Sequence, residues 1–315
     1  MGIRRAGAAV TAAVLCAGLA ACGGGGGSGT DRPARSSASG RAAPASASPS
    51  PLLAAGPYVA LGDSYTAGPD IPQQTGTPAG CARSSQAYPA LLAARLRLAP
   101  AAFRDMSCSG AQVAELTRRQ VTSDGVNPAQ LSALTPATRL VTLGIGGNDI
   151  GFADLVGRCV SAGLLRQTPC REQLTSGGED SVEARIVVAG ERLGGALAQI
   201  HRRAPHARVL VVGYPEILPA DGASCTASLA IGAGDVAYLR LKEQHLNAML
   251  RRRAEAAGAA YVDTWTPSVG HDACSPAATR WVEPLLPSAP AASMHPNARG
   301  EAGMAAAVLT MLGEG

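Results

Sequence analysis

From residue 57 onward, short apolar runs closed by glycine alternate with longer stretches whose apolar residues recur every three or four positions. The first run, Tyr58-Val59-Ala60-Leu61, stops at Gly62-Asp63-Ser64 and predicts a strand that breaks into a turn. Leu91, Leu92 and Leu96 predict a helix over residues 87–98, and a short strand follows near 102–107. Residues 128–134 read as a short helix with Pro128 at its first position and Asn127 as its cap. A third strand over 140–143 runs into Gly146-Gly147-Asn148-Asp149. Ile186, Leu193, Leu197 and Ile200 mark one face of a helix over 181–203, and Val209 to Val212 form a fourth strand. A helix over 235–257 carries Val236, Leu239, Leu246, Met249 and Leu250 inward, and a fifth strand occupies 259–262. A loop rich in proline and serine fills 263–294, and a last helix opens at Pro296 and stops before Gly313. Strands separated by helices predict one three-layer α/β domain over residues 56–315, with no internal repeat.

The first 55 residues follow another pattern. Arg4 and Arg5 precede an apolar run from Ala8 to Leu19, which reads as an export signal over residues 1–21. That run is short of the about 20 residues a membrane-spanning helix needs. It ends Leu19-Ala20-Ala21-Cys22, similar to a bacterial lipobox, in which Cys22 becomes the lipidated first residue. Residues 22–55 are Gly, Ser, Ala, Pro and Arg with almost nothing large and apolar, so a disordered tether is expected there. The protein is therefore expected outside the cytoplasm, secreted or held at the membrane by its lipid.

Charge narrows the partners. Lys242 is the sole lysine, and the net charge of +4 falls to +2 once Arg4 and Arg5 leave. That is too small and too evenly spread for nucleic acid. Export gives the cysteines meaning. Beyond Cys16 and Cys22 there remain Cys81, Cys108, Cys159, Cys170, Cys225 and Cys274. Six cysteines allow about 15 pairings, of which the sequential one is the simplest. The cysteines lack C-x₂-C spacing and a histidine cluster, so no metal site is expected.

Three strand ends carry polar, glycine-rich turns: Gly62-Asp63-Ser64, Ser109-Gly110 and Gly147-Asn148-Asp149. A histidine stands before the last helix in Ser293-Met294-His295-Pro296. The carboxyl ends of parallel strands share one rim, so these turns can converge on a crevice. Together they supply a hydroxyl nucleophile, a base and oxyanion donors, the needs of acyl transfer. Asp63 and Asp149 read as turn residues in supporting roles. His201, His206 and His245 read as surface or packing residues, and His271 is the one rival base. No Gly-x-Ser-x-Gly elbow occurs, nor a dinucleotide-binding glycine pattern after the first strand.

The order Gly-Asp-Ser, Gly, Asn, His resembles the SGNH, or GDSL-type, hydrolases, most closely their secreted actinobacterial esterase and lipase branch. The resemblance spans residues 57–312 and implies a flavodoxin-like parallel sheet of order 2-1-3-4-5 with three sequential disulfides. It implies Ser64 as nucleophile, His295 as base, and Ser64, Gly110 and Asn148 as the oxyanion hole. It implies a monomer acting on acyl esters of lipids or small molecules without a cofactor. A carbohydrate O-acetylesterase and a non-catalytic surface binder are the alternatives. Tyr65 replaces the leucine of the family name. The family's usual Asp three residues before the histidine is Ala292 here, which implies a Ser-His dyad with the Ala292 carbonyl orienting the ring. Asp263 and Asp272 are the possible substitutes.

Overall fold

A computed structural model describes residues 56–314; the signal, Cys22 and the tether lie outside them. Five strands, β1 (Tyr58–Gly62), β2 (Phe103–Asp105), β3 (Leu140–Gly144), β4 (Arg208–Val212) and β5 (Ala260–Val262), form one sheet. All neighbours pair in parallel, in the order 2-1-3-4-5. Around it in chain order run α1 (Ser64–Ala67), α2 (Tyr88–Arg95), α3 (Phe152–Leu164), α4 (Cys170–Leu174) and α5 (Ser181–Arg203). They are followed by α6 (Gly222–Leu229), α7 (Ala233–Ala256), α8 (Trp265–Ser268) and α9 (Ala298–Leu312).

The period-2 geometry of strands sends alternate side chains to opposite faces. Tyr58, Ala60, Leu140 and Leu210 pack against Leu92 of α2 and Met304 and Val308 of α9. Val59, Leu61, Val141 and Val211 face the other way, in one core with Leu193 and Leu197 of α5 and Leu239 and Leu246 of α7. Strands covered on both faces read as near-continuous apolar runs, as β1 does; β3 departs only at Thr142, whose hydroxyl lies 2.8 Å from that of Tyr58. Burying each such Leu or Ile stabilises the fold by about 1.5–3 kcal/mol. From β1 the chain crosses to β2 on one side, and β3 then lies on the other. The crevice this opens at the carboxyl ends of β1 and β3 is where an open α/β sheet holds its ligand.

Several boundaries differ from expectation. The segment over 128–134 is a 3₁₀ turn, Gln130–Ala133, and Asn127 ends a two-stranded ribbon (Gln120–Thr122 with Gly125–Asn127) instead of capping a helix. The Asn127 amide is engaged elsewhere, accepting from Arg83 at 2.7 Å and donating to the Met106 carbonyl at 3.1 Å. The last helix starts at Ala298, because Asn297 accepts from the N–H groups of Arg299 and Gly300 and takes the cap. Pro296 instead bridges to Val282. Helix α3, unforeseen in a segment that holds Gly157 and Gly163, runs along the cleft described next. The cysteines pair 81–108, 159–170 and 225–274. The first disulfide joins the segment after α1 to the segment carrying Gly110, where Ser109 N–H also donates to the Cys81 carbonyl.

Candidate active site

Gly62 and Gly144 end neighbouring strands and come together closely. A Cβ on Gly62 would lie 2.5 Å from the Gly144 carbonyl, so only glycine lets the two strand ends meet this way. The buried Gln130 amide clamps the same glycine, accepting from its N–H at 2.8 Å and donating to its carbonyl at 2.9 Å. Asp63 then caps α1 by accepting from Tyr65 N–H at 3.0 Å. Ser64 is the first residue of that helix. Its backbone N–H has no protein acceptor among the described residues, as expected at a helix N-terminus.

His295, 231 positions along the chain, places Nε2 2.8 Å from the Ser64 hydroxyl. The other ring nitrogen, Nδ1, lies 2.7 Å from the Ser293 carbonyl. A carbonyl only accepts, so Nδ1 carries the proton and Nε2 presents its lone pair to the serine. The orienting carbonyl is thus that of Ser293, a correction to the expectation for Ala292. The Ala292 oxygen is occupied by the His295 backbone N–H at 3.1 Å, closing a turn in which Met294 adopts φ +61°. The turn turns the Ser293 carbonyl, one residue on, to the ring.

Neither substitute carboxylate serves the histidine. Asp263 accepts from Thr266, and Asp272 accepts from Cys274 N–H and Ser275. His271 is stacked on Trp281 with ring centroids 5.3 Å apart, and is not the base. Burial lowers the His295 pKa below 6.5, opposed by the Ser293 carbonyl and Asp70. Tyr65 holds the imidazole from its side. Its ring lies 4.9 Å from that of His295, and its hydroxyl donates to the Met294 carbonyl at 2.5 Å. The loop itself is tied by buried Glu283, which accepts from Ser288 N–H, Ala289 N–H and the Asn297 amide.

Asn148 lines the same cleft as Ser64 and His295. One N–H of its amide donates to the Ala111 carbonyl at 2.9 Å, which fixes the side chain and leaves the second N–H without an acceptor among the described residues. Gly110, one residue before that carbonyl, sits at φ +78° and is exposed, outside the residues lining the cleft. Its N–H has no protein acceptor among the described residues. Asp149 accepts from Val113 N–H at 2.9 Å and pins the Gly110 segment to the Asn148 turn. Asp63 is buried, which pushes its pKa up to about 7 against the donors Tyr214 and Tyr65. The cleft encloses about 220 Å³, walled by Phe152, Val156, Ile217, Leu246 and Leu285. Among the described residues no group of three or more His, Cys, Asp or Glu is placed to hold a metal, and no helix is long and apolar enough to cross a membrane.

A serine hydroxyl facing an imidazole lone pair, with N–H donors beside it, can attack a carbonyl and hold the resulting oxyanion. The chain as a whole is similar to known proteins. The pattern of the GDSL-like Lipase/Acylhydrolase family matches residues 60–302. The chain belongs to this family. It is 43% identical to Lipase 2 of Streptomyces coelicolor over 88% of this chain and 90% of the relative. It is 33% identical to a lipase of Streptomyces rimosus over 80% of this chain and 84% of that one. Among solved structures, phospholipase A1 from Streptomyces albidoflavus superposes with a TM-score of 0.67 at 32% identity, covering 82% of this chain and 99% of that chain. The extracellular lipase of Streptomyces rimosus gives 0.60 at 29%, covering 81% and 99%. This GDSL-family chain is a carboxylic ester hydrolase with the family's α/β fold.

Sequence reasoning missed Tyr214, Gln130 and Glu283. No local signal marks Tyr214 or Gln130, which act on residues 151 and 68 positions away, and Glu283 ties an irregular loop that carries no periodic pattern.

Proposed function

We propose that Ser64 is the nucleophile and His295 the base of an exported hydrolase of lipid acyl esters. The observation that carries this reading is the 2.8 Å contact between Ser64 and the His295 lone pair inside an apolar cleft. His295 Nε2 takes the hydroxyl proton as Ser64 Oγ bonds to the acyl carbon. The carbonyl oxygen becomes an oxyanion held by the N–H groups of Ser64 and Gly110 and by the free Asn148 N–H. The imidazolium returns its proton to the leaving alcohol. A water then attacks the acyl-enzyme, giving its proton to Nε2, and Ser64 departs reprotonated.

The cleft walls and the relatives named lipase and phospholipase A1 favour fatty acyl groups over sugar acetates. Burial of each methylene is worth about 0.8 kcal/mol, roughly a fourfold gain in kcat/KM for each added carbon. A chromogenic ester series from acetyl upward is therefore expected to show kcat/KM climbing with chain length until the cleft is full. A maximum at acetyl, with turnover of acetylated xylan, would instead favour the carbohydrate esterase. Three disulfides fit an oxidising compartment. The anchor at Cys22 belongs to the same reading, and Cys22→Ser is expected to release the protein from the membrane fraction. A distribution unchanged by the substitution would remove the Cys22 anchor from this reading.

A further inference from the structure

Tyr214 follows β4 and is 151 positions from Asp63, yet it joins the two turns that carry the reacting groups. Its hydroxyl donates to Asp63 Oδ2 at 2.5 Å and accepts from Gly147 N–H at 2.7 Å. Asp63 Oδ1 in turn holds Tyr65 N–H, the residue after Ser64, and Gly147 precedes Asn148. One phenol oxygen therefore spans from the cap of the nucleophile helix to the asparagine turn.

Everything around Tyr214 holds that oxygen in place. Its backbone is gripped on both sides by Asn247, whose amide accepts from Tyr214 N–H at 2.8 Å and donates to the Tyr214 carbonyl at 2.9 Å. Its ring packs edge-on to Tyr65, with centroids 5.1 Å apart at 77°. A Cβ on Gly147 would sit 3.2 Å from the hydroxyl, so a glycine there admits the contact. The side chain is 4% exposed, and a buried hydroxyl bonded to a carboxylate makes a strong, short hydrogen bond. The link survives titration of Asp63, since a phenol donates to a carboxylate or accepts from a carboxylic acid.

We infer that Tyr214 is a positioning residue, fixing the distance between Ser64 and the Asn148 oxyanion donor by bridging Asp63 and Gly147. The inference rests on the proposed roles of Ser64 and Asn148. Displacement of a donor by about 1 Å can cost 10²-fold in rate, because the oxyanion is held only in the transition state.

The test is Tyr214→Phe, which keeps the ring and removes the bridging oxygen, assayed on a short-chain chromogenic ester. We expect kcat to fall roughly 10- to 100-fold with KM nearly unchanged. An alkyl boronic acid, tetrahedral on Ser64 and mimicking the oxyanion, is expected to bind more weakly by a similar factor. Tyr238→Phe, which removes a hydroxyl bonded to Asp180 outside the cleft, is the control and keeps wild-type kcat. A merely structural role would lower thermal stability while leaving kcat per folded molecule and boronate affinity intact, and that result would overturn the inference. Should Tyr214→Phe not fold, Asp63→Ala removes the other end of the bridge, and wild-type kcat there would likewise overturn it. Activity surviving in Ser64→Ala would sink the proposed site itself. An inert Ser64→Ala beside a fully active Tyr214→Phe would sink only this inference.

Discussion

Ser64→Ala is expected to fold normally and lose about 10⁴- to 10⁶-fold in kcat. The substitution deletes one oxygen from a side chain whose only hydrogen bond among the described residues is to His295. The α1 cap, the Gly62–Gly144 approach and the Gln130 clamp all remain. Nothing that holds the turn depends on the hydroxyl, so the melting temperature is expected to stay near that of the wild type. The chemistry depends on it completely, because without Oγ the His295 lone pair faces no proton to abstract. What activity remains would come from the oxyanion donors acting on a water. Steady-state turnover on purified protein, with circular dichroism as the folding check, decides the matter, and activity of a few per cent or more would remove Ser64 as the nucleophile.

Asn148→Ala is expected to reduce kcat by about 10²- to 10³-fold, the range for one oxyanion donor. The donor acts on charge that exists only in the transition state, so KM is expected to move little. The Ala111 carbonyl also loses its partner. The Gly110 segment nevertheless keeps its other ties, among them the Cys81–Cys108 disulfide, Asp149 to Val113 N–H and Gln120 to the Ser109 carbonyl. Substrate-saturation kinetics separates the two effects. A KM increase with unchanged kcat would mean that Asn148 shapes the cleft without stabilising charge.

The groups proposed to react were readable because each sits where a local pattern changes. An apolar strand gives way to Gly62-Asp63-Ser64, another to Gly147-Asn148, and His295 stands beside Pro296 at the mouth of the last helix. The alternation of strands and helices announced a layered α/β domain, while the order 2-1-3-4-5 came from the resemblance to the SGNH hydrolases. What fixes these groups in space was not readable. The choice of the Ser293 carbonyl over Ala292 depends on a turn with a left-handed Met294, a conformation that a methionine in sequence does not announce. Tyr214 and Gln130 reach partners 151 and 68 positions away, and such contacts exist only once the sheet has formed. Asn297 and Pro296 are both good helix openers, and only the hydrogen bonds to Arg299 and Gly300 assign the cap.

A backbone carbonyl in place of a carboxylate has a consequence for pH. It fixes the tautomer of His295 but carries no charge to stabilise the imidazolium. Burial then keeps the neutral ring favoured down to a lower pH than an isolated histidine would show. A base must be neutral to accept a proton, so reactivity is present above the His295 pKa and is lost as pH falls through it.

Both halves of the dyad are read at once by labelling with a fluorophosphonate across pH, followed by peptide mapping. The expected result is one label per molecule on Ser64, at a rate that is flat near neutral pH, falls only at a pH lower than an ordinary histidine would show, and collapses in His295→Ala. Label on another residue, or a rate on Ser64 indifferent to His295, would contradict the account.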